Sequence, residues 1–245
     1  MTRAVVLHRW PWQEHGLLLD LFTEGFGRVR AISKYARSRR SSLRATLEPF
    51  TLIDIELKGR GEVKNLARAD SVQNFPLRSV HLYSGLYLNE LLQRLLPEHT
   101  DLPGLFIDYV KSLELLSETQ VIEPVLRQFE YRLLCHLDLD FSFTHDANDG
   151  NAIEPGILYR FVAGSGFVPA QIENEALYIG EAPAETASSE WLISGAEISV
   201  LGQFQLANPQ VLKQFKQLMR NAYAPLLGSK PLRSRELLLA AVQNK

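Results

Sequence analysis

The period of the apolar residues changes once along this chain, near Pro76, and that change limits what can be built on either side. Before it, residues 4–8, 15–23, 27–33, 50–57 and 62–72 read as strands. Trp10-Pro11-Trp12, Glu24-Gly25-Phe26-Gly27 and Gly59-Arg60-Gly61 supply turn-prone breaks between them. Five short strands in about 75 residues suit an OB-type barrel, with an SH3-like barrel as the competitor that periodicity does not separate. After Pro76, residues 81–96 place Leu82, Leu86, Leu88, Leu91, Leu92, Leu95 and Leu96 on one broad helical stripe, which Pro97 ends. Residues 102–116 and 123–137 repeat the pattern, predicting three consecutive helices of a bundle. From 138 to 190 the signal weakens to a turn-rich stretch at 146–151, a small hairpin at 157–162 and 166–168, and a linker-like run at 182–189. Helical spacing returns at 196–205, at 209–224 with Pro225 as the stop, and at 233–242. The expected architecture is α+β: an N-terminal OB-fold β-barrel over 1–79, then a mostly α-helical domain over 80–245 with a small irregular insertion at about 138–190.

Charge is segregated along this order. Residues 1–80 hold 14 basic and 8 acidic side chains, residues 81–190 hold 5 and 18, and residues 191–245 hold 7 and 2, against a net charge of −2 for the whole. A ligand at one surface feels mainly the charges within a Debye length, about 8–10 Å, so the two basic ends are the candidate anion binders. No apolar run reaches membrane-spanning length and the N-terminal residues lack a signal-peptide pattern, so a cytoplasmic protein is expected. Cys135 is the single cysteine, which leaves no intrachain disulfide and no multi-cysteine zinc site, and core packing is its expected role.

The histidines and carboxylates show no paired metal-ligand spacing, the Gly-rich turns lack the rest of a phosphate loop, and residues 146–154 lack the ligand spacing of a calcium loop. Two cationic sets remain. The first is Arg28, Arg30, Lys34, Arg37, Arg39, Arg40 and Arg44, extended by Lys58, Arg60, Lys64 and Arg68 on the last two strands. Alternation places Arg28, Arg30 and Ile32 on one strand face and Val29, Ala31 and Ser33 on the other, with residues 34–42 following as an exposed loop that buries no apolar face. Tyr35 within it offers a ring for stacking on a base. Read alone, this set divides evenly between a polyanion groove and a solvated loop. The second set is Lys213, Lys216 and Arg220 on one helical face beside Phe215 and Leu218, with Arg127 or Arg132 as a clamp, suited to an acidic, hydrophobic peptide tail.

Taken in order, GRVRAISKYARSRRSSLRATLEPF at 27–50, GRGEVKNL at 59–66, HLYSGLYLNELLQRLLPE at 81–98 and GSKPLRSREL at 228–237 resemble the bacterial RecO family of recombinational DNA repair proteins. The resemblance implies a non-enzymatic protein without catalytic residues, associated with the nucleoid; no cofactor is expected, and no metal, because Cys135 is the single cysteine. It implies binding of single- and double-stranded DNA, annealing of complementary strands, capture of the acidic C-terminal tail of single-stranded-DNA-binding protein, and pairing with RecR so that RecA is loaded. On this resemblance the first cationic set becomes the DNA contact, and Arg127 looks like a helical-domain arginine of the family. Many members carry a four-cysteine zinc module where this chain has residues 138–166, which contain no cysteine. The alternative from another class is a protein-interaction adaptor whose barrel binds a protein partner. Charge reversal of Arg37, Arg39 and Arg40 separates the two.

Overall fold

The computed structural model describes residues 1–38, 41, 43–170 and 191–243, and its contacts divide the chain into two compact units, Met1–Leu137 with Ser229–Lys245 and Asp138–Gly228. The expected boundary at 79 and 80 falls inside the larger unit, at the start of its first long helix.

Five strands open the larger unit: β1 (Thr2–Trp12), β2 (Gly16–Thr23), β3 (Gly27–Ser33), β4 (Thr51–Lys58) and β5 (Val63–Asn74). They close into a barrel in the order β1-β2-β3-β5-β4, with β3 parallel to β5 and β4 returning to β1. That order is OB-type and decides between the two barrels left open by periodicity. Inward residues Ala4, Val6, Leu17, Leu19, Leu21, Val29, Ala31, Ile53 and Ile55 fill its interior. Trp10-Pro11-Trp12 is strand, not turn: the three pair with Leu18, Leu17 and Gly16, and the turn is displaced to residues 13–15. The reason is local, because β4 pairs with β1 only from Thr2 to Val5. Beyond Val5 one edge of β1 is open, and a residue without an N–H forfeits no ladder bond there.

The segment after β3 also differs from an unanchored loop. Ala36 is fully buried in the barrel core, and the Arg37 amide donates to the His15 carbonyl at 2.9 Å. A short helix, α1 (Leu43–Thr46), follows, and buried Leu47 closes the barrel behind it. Lys34 and Arg37 thus flank a buried anchor at Ala36, and Arg44 stands on a helix that leads into buried Leu47.

The helices α2 (Val80–Leu95), α3 (Pro103–Glu118) and α4 (Ile122–His136) stand within a residue or two of their expected positions. Gly85 lets α2 approach the barrel, since a Cβ there would lie 2.8 Å from the Phe50 ring and 2.5 Å from Leu77. Asn89 donates to the Leu7 carbonyl at 3.0 Å and accepts from the buried Tyr109 hydroxyl at 2.6 Å, so strand, α2 and α3 share one polar joint. Burial raises the Tyr109 phenol above its ordinary range, which keeps it a donor. Phe22, outward on β2, meets Phe106 of α3 edge to face. The C-terminal helix α7 (Arg233–Gln243) belongs to this unit too. Its first amides, on Arg233 and Ser234, donate to the Glu90 carboxylate of α2, a cap supplied by another helix.

The smaller unit holds a three-stranded antiparallel sheet, β6 (Leu158–Val162), β7 (Gly166–Pro169) and β8 (Leu192–Ser194), in the order β7-β6-β8. The first two strands are the expected hairpin; three residues of β8 were too short to show a period. Helix α5 (Gly195–Leu201) begins with a capping box in which Ser194 and Glu197 satisfy each other's backbone amides, lowering the Glu197 carboxyl below its usual range. It ends four residues before the expected 205. Helix α6 (Pro209–Leu227) runs past Pro225, which sits close enough to the end that its missing N–H removes one bond only, and stops at Gly228 with φ 62. The core is aromatic: Phe141, Phe143, Phe161, Phe167, Phe204 and Phe215 form a chain of ring contacts with centroids 4.8–6.3 Å apart. The linker-like residues 182–189 lie outside the described residues.

Candidate nucleic-acid interface

Alternation in β3 is as expected: Val29, Ala31 and Ser33 are buried and Arg30 is exposed on the opposite face. Arg28 shares that outer face, yet only 13% of its side chain is exposed. Its guanidinium lies 2.9 Å from Asp20, whose side chain is fully buried, and also donates to the carbonyls of Gln93 and Leu96 at the end of α2. Gln93 completes the cage, donating to Asp20 at 2.8 Å. Arg28 is therefore a joint between barrel and helix and leaves the DNA-facing set. Arg30 stays exposed and pairs with Glu98 at 3.1 Å. The backbone repeats this attachment: His99 N–H donates to the Arg28 carbonyl at 2.9 Å, and at Gly27 (φ +63) a Cβ would come within 1.9 Å of the Thr100 carbonyl oxygen.

Just beyond β3 the described cations are unpaired. Lys34, Arg37 and Arg44 are exposed with no ion-pair partner among the described residues, and Tyr35 between them is 70% exposed. Arg39 and Arg40 lie outside the described residues. Arg44 lines a shallow cleft of about 590 Å³ with Ser41, Ala45, Glu48 and Asn74. Parallel pairing of Ala31 with Lys64 and of Ile32 with Asn65 brings the start of this segment beside β5. At the β4–β5 turn Arg60 is exposed, Lys58 pairs loosely with Glu56 at 3.3 Å, and Lys64 reaches the Gly59 carbonyl at 3.5 Å. Arg68 is taken up by Asp70 at 2.6 Å.

The peptide-tail set divides between the two units. Arg127 and Arg132 belong to the larger unit, and Lys213, Lys216 and Arg220 to the smaller. Arg127, with 11% of its side chain exposed, is held 2.8 Å from Glu130, a buried carboxylate that also accepts from the Tyr87 hydroxyl. It is a core ion pair, not a clamp; Arg132 on the same helix is exposed. On α6, Lys213 and Arg220 are exposed and Lys216 is half-buried, but Phe215 and Leu218 have no exposed surface. Phe143 and Phe204 already cover Phe215. The apolar stripe expected to hold a tail is interior.

Residues 138–170 do not fit a zinc site. Besides lacking cysteine, they spend their one buried carboxylate, Asp146, on the amides of Asn148, Asp149 and Asn151 at 2.8–3.0 Å, which lowers its pKa below the usual range. Among the described residues no cluster of three or more His, Cys, Asp or Glu is placed to hold a metal, and no helix is long and apolar enough to cross a membrane. Half-buried Cys135 on α4 is only partly the core residue expected.

One exposed feature went unread in the sequence: the rings of His8 and Trp10 stack at 4.3 Å on the outer face of β1. Burial lowers the His8 imidazole despite the nearby Asp20 charge. Alternation alone would place both rings on the interior face of Ala4 and Val6; the register shift between Val6 and His8 turns them outward, and no local signal marks it.

An OB-type barrel followed by helices, with exposed cations on one connection and one turn, places the chain among the OB-fold proteins. The particular family is shown by sequence. The chain matches the family model "Recombination protein O N terminal" over residues 1–75 and "Recombination protein O C terminal" over residues 79–236. It is 41% identical over 245 residues to DNA repair protein RecO of Serratia proteamaculans (strain 568), covering 99% of this chain and 95% of that one. It is 40% identical over 237 residues to the proteins of the same name from Shigella flexneri and Escherichia coli O139:H28, covering 96% of this chain and 92% of each. The chain belongs to the RecO family of DNA repair proteins, and its role lies in DNA repair and recombination.

Proposed function

We propose that this protein acts in repair by binding alone: it holds single- and double-stranded DNA on the barrel's cationic side, anneals complementary strands, and is brought to coated DNA by the acidic tail of single-stranded-DNA-binding protein, working with RecR to help load RecA. The observation that carries the DNA contact is the trio Lys34, Arg37 and Arg44, exposed and without ion-pair partners among the described residues, with buried Ala36 and the Arg37 amide anchoring the first two. Annealing requires that two repelling backbones be neutralised while the bases stay free. Cations that release counterions from phosphates do this without any catalytic acid, base or nucleophile. For the tail, the exposed cations are Arg132 in one unit and Lys213 and Arg220 in the other, and tethering through either raises the local concentration of the annealer.

The test is strand annealing and oligonucleotide binding across a salt series, on bare strands and on coated strands. On single strands each phosphate contact contributes about −0.7 to the slope of log K against log salt, so Lys34→Glu/Arg37→Glu/Arg44→Glu should flatten the slope by roughly two units and abolish annealing while tail binding persists. Salt-insensitive annealing would sink the electrostatic reading. Tight tail binding by a chain that anneals neither substrate would leave an adaptor in its place.

A further inference from the structure

The barrel's outer face is covered unevenly. On β2 the outward residues are Leu18, Asp20 and Phe22; Phe22 lies under Phe106 and Tyr109, and Asp20 lies under Arg28 and Gln93. The cover ends there, and Leu18 is the one half-exposed residue of that strand. Strand register carries the uncovered level across the sheet. Trp10 pairs with Leu18, Leu18 with Ile32, and Ile32 with Asn65, so all four face outward in one row. Trp10 is 38% exposed, with His8 stacked on it, and Ile32 is half-buried. Strands lie about 4.8 Å apart, so Trp10 to Ile32 spans about 10 Å, room for two bases.

Cations flank the row on both sides along the strands. Arg30, level with Asp20, has 45% of its side chain exposed beyond Glu98 on one side. On the other, Lys34 follows Ile32 in the chain with the same parity, and Arg37 is pinned by its amide to His15, in the turn that follows β1. An apolar, aromatic strip between cations matches a strand whose bases are unstacked, because a flat ring on a sheet meets base faces and a duplex offers it only backbone and base edges. We propose that the row Trp10, Leu18 and Ile32, flanked by Arg30, Lys34 and Arg37, is a base-stacking platform for single-stranded nucleic acid; this rests on the DNA-binding reading above and deepens it.

The test uses the full chain, with oligo(dT) and a duplex of equal length. Trp10→Ala should weaken oligo(dT) binding roughly ten-fold, the worth of one stacked base, with duplex affinity and the salt slope unchanged; Trp10→Phe should restore most of the loss. With Trp12→Phe and Trp191→Phe in place, saturating oligo(dT) should quench the remaining Trp10 emission and the duplex should not. Oligo(dT) affinity within two-fold of the parent after Trp10→Ala, or unchanged emission at saturation, overturns the platform while leaving DNA binding standing. A parent chain that binds no oligo(dT) overturns both. A Trp10 response to an acidic peptide ending in phenylalanine, with none to oligo(dT), makes the row a peptide site and also overturns the proposal.

Discussion

Replacing Arg28 by alanine removes the guanidinium that sits 2.9 Å from Asp20 and strands a carboxylate with no exposed surface, leaving it the single bond from Gln93 among the interactions described. It also frees the Gln93 and Leu96 carbonyls that end α2. Breaking a buried pair from one side costs about 3–5 kcal/mol, because the remaining charge is uncompensated. Against a total stability of about 5–15 kcal/mol, that lowers the melting temperature of a unit this size by about 10 °C. Urea unfolding followed by circular dichroism, with calorimetry for the melting point, measures it. A control separates the pair from its setting: Asp20→Leu/Arg28→Met, which removes both charges, should lose clearly less than Arg28→Ala, since an apolar pair of similar volume replaces a buried ion pair at little cost. Well below its melting point the Arg28→Ala protein should keep the parent's DNA affinity and salt slope. A loss below about 1 kcal/mol, or a folded Arg28→Ala protein with a flattened salt slope, would refute the assignment of Arg28 as a joint.

Gly27→Ala should destabilise the same joint, by about 2 kcal/mol or more, because φ +63 disfavours a side chain and the new Cβ would lie 1.9 Å from the Thr100 oxygen; the urea midpoint reports it. Phe215→Ala opens a cavity among Phe143 and Phe204 and should cost about 3–5 kcal/mol, read as early melting of the smaller unit, with tail binding affected only through unfolding. Asp146 has its folded pKa lowered, chiefly by the Asp149 amide, so its stabilisation is present above the unfolded value of about 3.9 and is lost as pH falls through the lower folded one. Asp146→Asn should therefore reduce stability at neutral pH and flatten its acid dependence below about pH 4, measured by urea unfolding from pH 6 to 2; an unchanged acid limb would count against it.

Much of the fold was legible because its signals are short-range. The alternation Arg28-Val29-Arg30-Ala31 in β3 and the leucine stripe of α2 each repeat within a few residues, and both elements stand close to their expected bounds. Trp10-Pro11-Trp12 was misread because proline marks a turn only where its missing N–H would be needed, and that depends on how far β4 runs along β1. The candidate site was legible to the same depth: alternation put Arg28, Arg30 and Ile32 on one face, with no means of telling which of them anything covers.

The sequence by itself determined that a basic barrel precedes acidic helices, that no cysteine-based metal site is available, and which side of each strand carries charge. Tertiary structure decided which charges are free. Arg28 is spent on Asp20, eight residues away, and on Leu96, sixty-eight away; Arg127 is spent on Glu130 one helical turn on; and Phe215 is covered by Phe143. Local spacing fixes a side chain's direction, whereas its exposure is set by what long-range closure lays against it, so Lys34 and Arg37 remain open while Arg28, on the same cationic run, does not.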